Sequence, residues 1–389
     1  MIYEAFFRLV LQRFDSERAH ALAINVMRIV ALVPGLVALI DRLLRPRPTL
    51  RVKVMGLEFR TPLGLAAGVD KNSTAFDPLA ALGFGSVEVG TVTNRPQGGN
   101  PRPRVWRLPN DRGLLNSMGF PNSGADEQAR RLSRKRTEQV VGVNIGKSRV
   151  VGLEDDVVGD YREATRKVAP FAQYLVLNVS SPNTPGLRSM QTSEHLRALV
   201  GGVRAELEEC DRATIPVLIK LGPDLADEEI AEIADAAVEI AIDGIIAVNT
   251  TVNYDSTSAC RAAIAAHGDR GGVSGRPLKR RALEVLELLH AHVGSMPLIS
   301  VGGIETAEDA WERILAGAIL VQAHTGFVYG GPLWPRRLNR DLARLLDESP
   351  WSSIEEAVGK RDPDPRSSQF EAASAPSESR TASPFTTTV

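Results

Sequence analysis

The chain has 389 residues, 43% hydrophobic and 24% charged, enough to bury a large core in one large α/β domain or two smaller ones. A formal net charge of −1 and a pI near 6.6 exclude whole-chain attraction to nucleic acid, so no nucleic-acid partner is expected. Cys210 and Cys260 have no metal-ligand spacing and no secretory signal peptide opens the chain, which excludes a disulfide framework and indicates a reducing, cytoplasmic setting.

Residues 1–48 stand apart. IYEAFFRLVLQRF and ERAHALAINVMRIVALV carry apolar residues at helical spacing, predicting two or three short amphipathic helices. Asp15 is a candidate cap for the second, and Pro34-Gly35 a candidate stop. The longest uncharged run, 29–40, has 12 residues broken by that Pro-Gly pair, too short to span a bilayer. Seven arginines against four acidic residues in this segment favour lying on an anionic membrane surface; a helical hairpin packed on the main domain is the alternative. Pro46 and Pro48 mark the boundary.

Eight short apolar runs follow, at 63–67, 86–90, 140–145, 174–179, 216–220, 244–248, 297–301 and 319–323, with helix-like stretches between most of them. Such alternation predicts a parallel sheet with helical crossovers, and eight units predict a closed (β/α)8 TIM barrel over 49–352. The wide gaps after the second and sixth runs are expected to hold insertions on its rim. A doubly wound sheet is the alternative, weakened because no G-x-G-x-x-G follows the first run. Residues 353–389, rich in Ser, Thr and Pro, are expected to form a disordered tail.

In such a barrel the ligand site lies past the carboxyl ends of the strands. The residues there are Gly68, Asp70 and Lys71; Thr91 and Thr93; Asn144 and Lys147; Asn178, Ser181 and Asn183; Lys220; Asn249, Thr250 and Thr251; Gly302 and Gly303; His324 and Thr325. The fourth run ends in LNVSSPNTPGLR, where two prolines suit a loop that holds its hydroxyls and amide in fixed places. Neither a carboxylate cluster nor a Cys/His set is present for a metal, so none is expected. Amides, hydroxyls and a few lysines suit a flat heterocycle with carbonyl and N–H edges. Gly302-Gly303 and Thr325-Gly326, with Gly272–Gly275 from the second gap, suit a phosphate, together implying a ligand such as flavin mononucleotide (FMN).

The motifs GLAAGVDKN, SVEVGTVTNRPQ, LNSMGFPN, GVNIGK, LNVSSPNTPGLR, VLIKLGPD, AVNTT, GGVSGRPL, SVGGI and VQAHTGF together resemble the class 2 dihydroorotate dehydrogenases, over roughly residues 1–345. The resemblance implies oxidation of (S)-dihydroorotate to orotate in pyrimidine (UMP) biosynthesis, with FMN as hydride acceptor and a membrane quinone as final acceptor. It also implies a monomer held peripherally on the cytoplasmic side of the cell membrane. Ser181 matches the catalytic base, with Thr184 and Phe120 on a proton path. Ala67, Gly68, Val69, Asp70, Lys71, Thr91, Asn144, Asn178, Lys220 and Val248 match flavin positions; Gly275, Gly303, His324 and Thr325 match its phosphate end. Lys71, Asn116, Ser117, Met118, Gly119, Phe120, Asn178, Asn183, Asn249 and Thr250 match positions that hold the pyrimidine. Ser117, Pro121, Val248 and His324 depart from the family pattern, which expects arginine, asparagine, threonine and tyrosine there. Two other readings stay open on these residues: a flavin barrel acting on a different pyrimidine, and an aldolase with Lys220 as Schiff-base lysine.

Overall fold

The computed structural model describes residues 11–361 except Pro185, Asp269 and Arg270, together with Tyr3, Phe7 and Leu9. Each of the eight apolar runs forms a strand: β1 Leu63–Leu65, β2 Ser86–Val92, β3 Val140–Ile145, β4 Tyr174–Asn178, β5 Val217–Leu221, β6 Gly244–Ala247, β7 Leu298–Val301 and β8 Leu320–Ala323. They pair in parallel and in chain order, and β8 closes onto β1, so the sheet is a TIM barrel. Every residue of these strands is buried, because crossover helices cover one face and the opposite strands the other. The register sets Gly90 beside Asn144 and Asn178 beside Lys220, aligning the polar strand ends at one mouth.

Ahead of the barrel, helix α1 (Ser16–Leu32) is capped by Asp15, whose carboxylate accepts the Arg18 N–H at 2.9 Å. Pro34-Gly35 ends it, with Gly35 at φ 76°, and α2 (Leu36–Leu44) leaves at a bend of 108°. Ile24, Met27, Ile40 and Leu44 pack on the core, whereas Leu22, Val26, Ile29, Leu32, Leu39 and Leu43 face outward. Among the described residues no single helix is long and apolar enough to cross a membrane. The hairpin Val52–Val54 and Leu57–Phe59 then leads into β1.

The two wide gaps build one structure between them. Strands Val105–Leu108 and Gly113–Asn116 from the first gap pair antiparallel, and Gly272–Gly275 from the second joins them as a third strand. The stretch 272–275 is therefore a rim strand that ends at Gly275.

The chain stays ordered beyond the tail boundary expected at 353. Helix Ile354–Ala357, capped by Ser353, buries Ile354 and Ala357 completely, and Gly359 and Arg361 donate backbone N–H groups to Ile314 and Leu315. Three apolar residues among the nine at 353–361 gave little sign of this docking. The rest of the predicted tail, 362–389, lies outside the described residues.

Candidate active site

The carboxyl ends of β2, β3 and β4 bring three side chains into one hydrogen-bonded group. Thr91 Oγ1 donates to Asn144 Oδ1 at 2.6 Å, and Asn178 Nδ2 reaches Thr91 Oγ1 and Asn144 Oδ1, each at 3.1 Å. Asn178 Oδ1 accepts from Ser180 and, at 3.3 Å, from Asn249 Nδ2 past the end of β6. Asn249 in turn donates to Ser180 Oγ at 3.0 Å and accepts the Thr250 N–H at 2.8 Å. One layer deeper lies a carboxylate that no strand-end reading selects. Glu88 accepts from Asn144 Nδ2 and Gln322 Nε2, both at 2.8 Å, and stands 3.8 Å from the Lys220 ammonium.

Over this layer lies the loop that begins at Val179. Ser181 Oγ accepts the Asn183 N–H at 3.2 Å, which leaves its own proton free to turn. Asn183 Nδ2 donates to the Asn116 carbonyl and to Asn116 Oδ1, at 3.2 and 3.3 Å, linking the loop to the rim sheet. Asn100 bridges Ser117 Oγ and the Asn183 carbonyl, both at 3.3 Å. Asn183 Oδ1 and Thr184 Oγ1 are buried with no partner among the described residues. A cleft of about 710 Å³ opens above, lined by Asn100, Ser117, Arg149, Pro182, Asn183 and Tyr254. Met118 and Gly119 contribute carbonyls to Asn100 and Gln97, and Phe120 takes φ 52° where the chain turns back.

On the β1 side Gly68, at φ 101°, donates its N–H to the Gly90 carbonyl and accepts from the Lys71 ammonium. Asp70 uses its carboxylate on the N–H groups of Thr74 and Ala75, so it shapes the turn. Burial lowers Lys71 to about 8. His324, beside Gly68, is lowered to about 4 by burial and by the Lys71 charge, so it is neutral at pH 7. His20 from α1 faces the backbone of Val69, and the Lys71 ammonium together with burial holds it well below its ordinary value. Near it on α1, Glu17 accepts from Arg102 and from the buried Arg104. Strand-end reasoning missed all three, because Glu17 and His20 come from a helix outside the barrel and Arg104 from the first insertion, just before the strand Val105–Leu108.

The glycines meet at the other side of the mouth. A Cβ on Gly275 would lie 2.8 Å from Thr325 Cγ2, and Ser274 Oγ is 2.8 Å from Thr325 Oγ1. Gly303, at φ 74°, packs so closely on Lys279 that a Cβ would sit 2.5 Å from its Cα. Only backbone can present itself there, as a phosphate cradle requires. Val248 is fully buried among core residues. Thr93 and Lys147 turn to their own loops, donating to the carbonyls of Arg95 and Val151. The remaining groups fit a flavin: placed amides and hydroxyls for a ring edge, a buried cation, and a side-chain-free cradle for a phosphate.

Comparison with known proteins agrees with this geometry. The profile of the dihydroorotate dehydrogenase family matches residues 49–346. A dihydroorotate dehydrogenase (quinone) of Thermobifida fusca is 53% identical over 92% of this chain and 96% of its own length. That of Streptomyces coelicolor is 50% identical over 92% of this chain and 98% of its own length. Among solved structures, DHODH from Eimeria tenella in complex with ferulenol superposes with a TM-score of 0.82 at 35% identity, covering 92% of this chain and 98% of that one. With fold, polar strand ends and relatives in agreement, the chain belongs to the dihydroorotate dehydrogenases, in their class 2, quinone-linked branch.

Proposed function

We propose that the protein oxidises (S)-dihydroorotate to orotate with bound FMN and a membrane quinone, in pyrimidine biosynthesis, with Ser181 as base. The observation that carries this reading is the stacking of the Ser181–Asn183–Asn116 loop over the Thr91–Asn144–Asn178 group at one barrel mouth. FMN, held by Gly68, Thr91, Asn144, Asn178 and Lys220 at its ring and by Gly275, Gly303 and Thr325 at its phosphate, would supply the hydride acceptor. Asn116, Asn183 and Asn249 then meet the amide edges of the pyrimidine; Asn183 Oδ1, without a partner among the described residues, suits a ring N–H. Lys71 meets the substrate carboxylate.

Ser181 removes the C5 proton. A serine is a weak base, so its own proton must leave as the new one arrives, and the buried hydroxyl of Thr184, without a partner among the described residues, is the next acceptor along the loop. Pro182 limits the loop's freedom and helps keep the serine in place. The outward apolar side chains of α1 and α2 suit peripheral attachment of a monomer to the cytoplasmic face of the cell membrane, with the quinone reaching the mouth beside His20.

Stopped-flow reduction with dihydroorotate tests the base. Ser181→Ala should slow bleaching by about 10²- to 10⁴-fold, the usual worth of a placed base, while dihydroorotate affinity changes only a few-fold. A near-normal rate would remove Ser181 from this role.

A further inference from the structure

We propose that Glu88 is a positioning residue that sets the charge presented to the flavin ring, acting through Lys220 and Asn144. The inference rests on the flavin reading above. Glu88 lies in the middle of β2, two residues before Gly90, and its side chain is wholly buried inside the barrel. Oε1 accepts from Asn144 Nδ2 at 2.8 Å and lies 3.8 Å from Lys220 Nζ; Oε2 accepts from Gln322 Nε2 at 2.8 Å. One carboxylate thus ties β2 to β3, β5 and β8.

Packing does not account for it. The interior of such a barrel is ordinarily filled by branched aliphatic side chains, and a carboxylate there carries a desolvation cost that apolar residues avoid. What Glu88 does is hold the two neighbours that face the ring. At 3.8 Å it is an ionic partner of Lys220 but too far for a good hydrogen bond, so the ammonium keeps its N–H groups for an acceptor above. Asn144 has one amide hydrogen bonded to Glu88, which turns its Oδ1 to Thr91 and Asn178 at the strand ends. Glu88 therefore places a full negative charge one layer below the ring and offsets part of the Lys220 charge, opposing build-up of negative charge on the ring when it is reduced.

Glu88→Gln removes that charge at nearly constant volume. Gln322 Oε1 has no partner among the described residues, so a turn of the Gln322 amide supplies an acceptor for the new N–H₂ group. The flavin potential of purified, flavin-loaded protein is measured by equilibration with a reference dye at pH 7, alongside flavin content and melting temperature. The variant should be easier to reduce, with the reduced-to-oxidised ratio at a fixed dye ratio raised about tenfold or more. A residue with a purely structural role would lower melting temperature or flavin content and leave the potential unchanged. An unchanged or lowered potential overturns the inference. Glu88→Met, which has no amide to place, gives the same reading if the glutamine variant does not retain flavin. Native protein purified without any flavin would instead defeat the cofactor reading on which the inference stands.

Discussion

Lys71 and His324 share one edge of the barrel mouth, and their shifted pKa values give pH dependences on opposite sides of neutrality. Lys71 titrates at about 8 and carries its charge below that pH. Affinity for anionic dihydroorotate should therefore be flat up to about pH 7.5 and fall as pH rises through 8 to 9. Near pH 8.5 binding should take up protons, which calorimetry in buffers of different ionisation heat reads directly; pH-independent affinity would contradict a carboxylate partner at Lys71. His324 has a folded value of about 4, below the roughly 6.5 of an unfolded chain. Between these values the unfolded state binds more protons, so stability should fall as pH drops from about 6.5 to 4, by roughly 3 kcal/mol from this group. His20 acts in the same direction. His324→Gln should flatten that acid limb in urea titrations at pH 7 and 4.5.

Helices α1 and α2 divide into an inward side that docks on the core and an outward side that does not. Leu22, Val26 and Ile29 are 59%, 45% and 62% exposed, so replacing them costs little packing. A triple change to glutamate should abolish vesicle binding and cut quinone reduction at least about tenfold, with reduction of a soluble dye unchanged. Retained vesicle binding would place the membrane contact elsewhere. These two helices were legible in the sequence because their boundary signals are local: Asp15 caps and Pro34-Gly35 stops, as read. The rim sheet was legible only as two insertions, since Asn116 and Gly272 meet across 156 residues and neither strand names its partner. The end of the domain was misplaced at 353 for a related reason: Ile354 and Ala357 gain their meaning only from the surface they dock on.

For the whole molecule, eight short apolar runs were enough to derive the barrel, and the rule that barrels work at the carboxyl ends of their strands was enough to select the polar residues that the structure gathers at one mouth. That rule also limited what could be seen. Asn144 and Asn178 stand at strand ends and were selected; Glu88 and Gln322 stand within strands, and their contacts show only when five strands are closed around them. His20 was hidden because it comes from a helix outside the barrel. The central claim is that this mouth binds a flavin which dihydroorotate reduces. The most direct test is the absorption spectrum of the purified protein under anaerobic conditions before and after dihydroorotate. The account predicts flavin bands that bleach on addition and return with a quinone. Protein without flavin absorbance, or a flavin that dihydroorotate leaves oxidised, would contradict it.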